Sequence, residues 1–358
     1  MFAGILMIAW VALPAFGAED KSIAGIETYG LHRVAQKSIL DAAGLQVGGS
    51  APTSRQQQQA IVQRIERVPG VRRAALVVVT VPYPAGAAAA GTGGTAPRPI
   101  VYIGVQESGR PDVAFRAAPT GNVVLPKSII DTYADFDRAF LKSVGHGDFS
   151  EDDSNGYALL GDEAARTVQR KFVGLANQHY DLLIEVLRKA KDANQRAMAA
   201  WIVAYANDKR RVAADLIIGT RDPNDEVRNN AIRGLSVLIG YARKHRDLAI
   251  DVPTDWCFDL LESLQWTDRN KVMAVLDEIT ADRHAAIYPK LRQRSLPTLI
   301  EMARWKFAGH AVMAFELVGR IAGLSDPEIF KAWDGGQREQ VIARALQSQS
   351  TDPASGSK

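Results

Sequence analysis

The sequence predicts a multidomain chain: a small α+β domain of element order β-α-α-β-β, followed by an all-α array of helix pairs forming an α-α superhelix. Three observations carry this. Before residue 110, short apolar stretches with β-type patterning flank segments of helical spacing. Beyond residue 160 the apolar stripes recur at 3.6-residue spacing. The helices also repeat. "NQRAMAAWIVAYA" (194–206) superposes on "DEVRNNAIRGLSVLI" (225–239) with Arg196 on Arg228 and Ala199 on Ala231, an offset of 32 residues. Ala274 follows after 43 residues and Ala314 after 40 more, a two-helix period typical of a solenoid.

Taken in order, residues 1–18 read as a signal peptide or an N-terminal anchor. Residues 2–16 are an apolar run, and Ala15-Phe16-Gly17 has the small-x-small pattern of a processing site. Export to the periplasm is the expectation, with an uncleaved membrane anchor as the variant of it. Residues 19–110 form the α+β domain. "SIAGIETYG" (22–30) reads as a strand into a turn. "RVAQKSILDAAGL" (33–45) reads as a helix with Ile39, Ala42 and Ala43 on one face and Gly44 ending it. Pro52 and Ser54 open a second helix with Ile61, Ile65 and Val68 in register, and Pro69-Gly70 stops it. "AALVVVTV" (74–81) and "PIVYIGVQE" (99–107) complete the domain as strands. Between them, residues 84–99 are rich in Ala, Gly, Thr and Pro and read as a flexible insertion.

Residues 111–160 are read as connection: a hairpin around Pro119-Thr120-Gly121-Asn122, a helix carrying Ile129, Tyr133, Phe136 and Phe140, and a polar linker over 145–156 marking a domain boundary. The helical repeat domain spans 161–347, and the tail 348–358 is disordered by composition.

Composition narrows the function classes. The 358 residues are 47% hydrophobic and 23% charged, with a net charge of +3. That excess is too small for the concentrated basic face that nucleic acid requires. One cysteine, Cys257, excludes an intrachain disulfide framework and a cysteine-rich metal site; beside Trp256 and Phe258 it reads as a small buried hydrophobe. The six histidines (His32, His146, His179, His245, His284 and His310) show neither HxxxH nor HExxH spacing, and His310 lies in an apolar helix. No nucleophile elbow, phosphate loop or dinucleotide fingerprint is present. No catalytic residue and no cofactor are therefore assigned. The metal candidate is "EDDSNGYALLGD" (151–162), which places Glu151, Asp153, Asn155 and Asp162 like the oxygen ligands of a calcium loop. The competing reading makes Asp162 and Glu163 the N-terminus of a helix. Basic residues from Arg188 to Arg246 gather near helix ends, where cations suit the macrodipole and are usually solvated. A basic rim meeting anionic headgroups, hence peripheral membrane association, is the lesser reading of them.

Two resemblances add to this. "RDPNDEVRNNAIRGLSVLI" (221–239) resembles a HEAT repeat: Asp222-Pro223 at the inter-helix turn, then Val227-Arg228, Ala231 and Leu235 in the second helix. "LSDPEIFKAW" (324–333) supplies a second Asp-Pro turn. The first domain resembles a POTRA module of exported bacterial assembly proteins. "GLHRVAQKSILDAAGLQVGG" (30–49) looks like its opening. "AIVQRIERVPGVRRAALVVV" (60–79) looks like its second helix, its terminal Pro69-Gly70-Val71 and its central strand. The resemblances imply an exported, non-catalytic adaptor or scaffold of the bacterial cell envelope that binds protein partners. The rival is an accessory or regulatory domain of an envelope lyase or hydrolase.

Overall fold

The computed structural model describes residues 22–81, 98–145, 150–283 and 286–347. The expected signal segment, most of the 84–99 insertion and the tail lie outside the described residues. Local chemistry sets the first elements. Strand β1 (Gly25–Tyr29) leads to helix α1 (Gln36–Ala43), which ends on Gly44 in the left-handed region at φ 63°. Helix α2 (Arg55–Ile65) starts on a capping box in which Ser54 and Gln57 exchange side-chain and backbone hydrogen bonds. Strands β2 (Val71–Val81) and β3 (Arg98–Glu107) follow. The three strands form a mixed sheet of order β1-β3-β2, with β1 parallel and β2 antiparallel to β3. The segment after Pro69-Gly70, expected to be the central strand, is thus an edge. The centre is β3, which takes β1 in parallel on one side and β2 antiparallel on the other.

The cross-strand pairs Leu76↔Ile103 and Val78↔Val101 share one face with Val105 and Ala74. This face packs on Ile39, Ala43, Ile61 and Ile65 of the two helices. The other face carries Glu27, Tyr29, Ile100, Tyr102 and Val79, all less than 9% exposed. The C-terminal helices of the same compact unit bring Trp305 and His310 onto it. These helices are α11 to α15, at Tyr288–Arg294, Leu296–Ala303, Ala308–Ile321, Asp326–Asp334 and Arg338–Gln347. Trp305 meets Tyr102 at 5.0 Å and Tyr29 at 6.1 Å between ring centroids. Tyr29 lies flat over Gly104, where a Cβ would stand 2.6 Å from its ring. Alanine there would push the ring off the sheet.

Among the described residues, this unit comprises 22–112, Leu261–Trp266 and 282–347. The second unit comprises Val113–Leu260 and Thr267–Ala281. The compact units therefore do not follow the sequence division into 19–110 and 161–347. A sheet with two apolar faces requires cover on both, and the last helices supply the second cover.

The second unit holds α3 (Lys127–Gly145) and a short antiparallel hairpin of β4 (Glu151–Asp152) and β5 (Leu159–Leu160). Helices α4 (Glu163–Gln178), α5 (Tyr180–Lys189), α6 (Ala193–Val203), α7 (Lys209–Leu216) and α8 (Asp225–Lys244) follow. Helix α9 (Asp255–Leu261) and helix α10 (Trp266–Thr280) close the series. The segment before α3 is not a hairpin. It runs extended, bridging Gly121 to Ala190, with Arg116 N–H donating to Arg221 O at 2.7 Å and Gly121 N–H to Lys189 O at 2.8 Å. A Cβ on Gly121 would lie 2.6 Å from Lys189 O, so the glycine serves close approach and not a turn. Helices α3 and α4 belong to one unit.

Candidate functional site

The sheet edge is built first by what β2 lacks. Its 11 residues pair with β3 on one side, and no strand lies on the other among the described residues. Ala74 N–H points outward, donating to Glu66 Oε1 at 3.1 Å. Thr80 is opposite Pro99, which has no N–H and whose carbonyl turns away to accept from Ala24 N–H at 2.7 Å. Both facts give the same phase, so Leu76, Val78 and Thr80 present N–H and C=O along the edge. An edge of this length and apolarity is a template for another extended chain. Arg72 and Arg73, both paired with Asp112, mark its start.

The predicted repeat motif assembles as buried ion pairs. Asp222 is fully buried and accepts from Arg196 Nε at 2.9 Å and Nη2 at 2.8 Å, from Arg116, and from Asn224 N–H at 2.9 Å. Burial alone would raise its pKa; Arg196, the backbone N–H and Arg116 hold it below the ordinary value. Further along the chain, Arg228 donates through Nε and Nη2 to Asp268, both at 2.8 Å, and through Nη1 to Asp222 O at 2.7 Å. Val227, Ala231 and Leu235 are fully buried on α8. Asp222 and Arg228 were legible as a motif, whereas Asp268 was not, because no proline follows it.

The calcium candidates are not brought together. The Glu151 carboxylate meets Arg233, and Asp162 caps α4 by accepting from Ala165 N–H at 2.8 Å. Asp153 and Asn155 lie in the exposed turn of the hairpin. Among the described residues, no group of three or more His, Cys, Asp or Glu is placed to hold a metal ion.

His310 lies in a buried aromatic cluster. Its Nδ1 is 2.5 Å from Tyr102 Oη, with Trp266 at 4.8 Å and Phe307 at 4.6 Å. Burial raises the Tyr102 pKa. Tyr102, His310, Trp266 and Trp305 are all at most 3% exposed, so the cluster fastens the sheet to its second cover. Cys257 is likewise buried, which pushes its thiol pKa well up.

Most of the basic residues near helix ends have partners. Arg188 pairs with Asp215, Arg211 with Asp181, and Arg243 with Glu278. Arg210 donates to the carbonyls of Leu248 and Asp247. A groove of about 550 Å³ between α5 and α7 is lined by these internally paired charges. Lys271 is different: it is 3% exposed, and burial, with Arg233 nearby and partly offset by Glu151, brings its pKa down to about 7. An unfolded lysine titrates near 10.5, so between those values the unfolded chain binds the extra proton and stability rises with pH. Lys271→Met is expected to raise stability at pH 7 by about 1–2 kcal/mol. It should also flatten the rise in melting temperature from pH 7 to 10. Retention of the wild-type slope would show that Lys271 does not cause it.

No protein-family model matches the chain, and no curated protein matches it. Among the described residues, no helix is long and apolar enough to cross a membrane.

Proposed function

We propose that the chain is an exported, non-catalytic adaptor of the bacterial cell envelope. In this reading a POTRA-like sheet module and HEAT-like helical repeats both hold protein partners. The observation that carries it is the β2 edge: an apolar strand of 11 residues with strand pairing on one side only among the described residues. An extended partner segment would add to this edge by backbone hydrogen bonds, with apolar side chains set by the alternation of the strand. The buried Arg–Asp pairs of successive repeats support the helical part of the reading. They lock neighbouring helix pairs together and leave surface for binding.

Leu76→Pro tests the edge. It removes one outward N–H while leaving the bonds to β3 in place. Partner recovery from the envelope fraction is expected to fall at least tenfold, while the melting temperature drops because Leu76 also packs on the core. Undiminished recovery by a folded Leu76→Pro chain would overturn the reading.

A further inference from the structure

The two arms of the β4–β5 hairpin are fastened to the helices by different chemistry. The β5 arm is held through its backbone. Gln169 accepts from Leu160 N–H at 2.7 Å and donates to Ala158 O at 3.2 Å. Tyr205 Oη donates to Ala158 O at 2.9 Å, and Arg166 Nε to Leu160 O at 2.6 Å. The β4 arm reaches the helices through a side chain, the carboxylate of Glu151 on Arg233 of α8.

Arg233 is 4% exposed, and its guanidinium lies over the Trp201 ring at 4.3 Å from the centroid. Its Nη2 donates to Glu151, while the buried Nε has no acceptor among the described residues. A guanidinium fork offers two parallel donors to a carboxylate, and here one of them is unused. The guanidinium therefore offers one donor more than Glu151 takes.

We propose that Arg233 is the receptor of a carboxylate-recognition site on the helical unit, filled in cis by Glu151. An extended acidic segment of a partner protein takes the place of β4, pairing with the independently anchored β5 and setting its own carboxylate on Arg233. The inference rests on reading the chain as a protein-binding adaptor, and it uses a surface distinct from the β2 edge.

The test is fluorescence anisotropy of a labelled Ser-Glu-Asp-Asp-Ser peptide, the sequence of residues 150–154, titrated with the full chain. Glu151→Ala should bind it at least tenfold more tightly than wild type, whose site is occupied. The gain should vanish in Glu151→Ala/Arg233→Met and with a peptide carrying Gln for Glu. Binding by Glu151→Ala no tighter than wild type would overturn the proposal. So would a gain that survives loss of Arg233 or of the peptide carboxylate. Should circular dichroism show Glu151→Ala unfolded, Glu151→Gln takes its place with the same expectations. If the peptide arm fails while Leu76→Pro still abolishes partner recovery, this site alone falls and the adaptor reading stands.

Discussion

Asp222→Ala is expected to cost about 3–5 kcal/mol, the loss typical of leaving a buried charge without its partner. Arg196, 3% exposed, would keep its guanidinium inside the unit with no carboxylate to receive it, and Arg116 would lose the same acceptor. The Asn224 N–H at the start of α8 would also lose its cap. Against a total stability of roughly 5–15 kcal/mol, the variant should be largely unfolded at 37 °C in a circular dichroism melt. The paired change Arg228→Met/Asp268→Leu should be far milder than Asp268→Ala alone, because it removes both charges together. A melt of Asp222→Ala within a few degrees of wild type would show that the ion pairs do not hold these helices together.

The second large effect is expected at Glu107, which is 1% exposed at the end of β3. Its Oε1 accepts from the backbone N–H groups of His32, Arg33 and Val34 at 2.7, 2.8 and 2.8 Å. Burial would raise its pKa, but the three N–H groups outweigh this and hold it at about 2. A depressed folded pKa adds stability that is complete above the unfolded value near 4.5 and is lost as pH falls toward 2. Glu107→Gln should therefore lose about 2–3 kcal/mol at pH 7. Its stability should also be flatter than wild type between pH 4.5 and 2. Urea melts across that range distinguish this from a simple packing defect, which would shift both curves in parallel.

Several of these features could be read from the residues, and the misreadings have physical causes. The strand "AALVVVTV" and most of "PIVYIGVQE" are apolar on both phases of the alternation, the pattern of a sheet buried on two sides. The pattern thus pointed to a second cover, but not to which of many amphipathic stripes would supply it. Gly121 beside Pro119 looked like turn chemistry, yet it permits contact with the Lys189 carbonyl, a requirement set by a distant helix end. The spacing placed Arg196 and Arg228 as equivalents, and each makes a bidentate contact to an aspartate further along the chain, Asp222 before α8 and Asp268 in the first turn of α10. Glu107 was legible only as a polar residue at a strand end, and Glu151 was read as a calcium ligand. Their roles depend on three backbone N–H groups more than 70 residues away and on an arginine 82 residues away. No local pattern encodes separations of that kind.

The central claim is that the β2 edge takes an extended partner chain. A photo-cross-linking amino acid at Thr80 in intact cells, with exposed Gln56 as the control position, tests it most directly. The account predicts a discrete protein adduct at Thr80 that is lost in Leu76→Pro and absent at Gln56. Equal labelling at both positions, or an adduct indifferent to the proline, would contradict it.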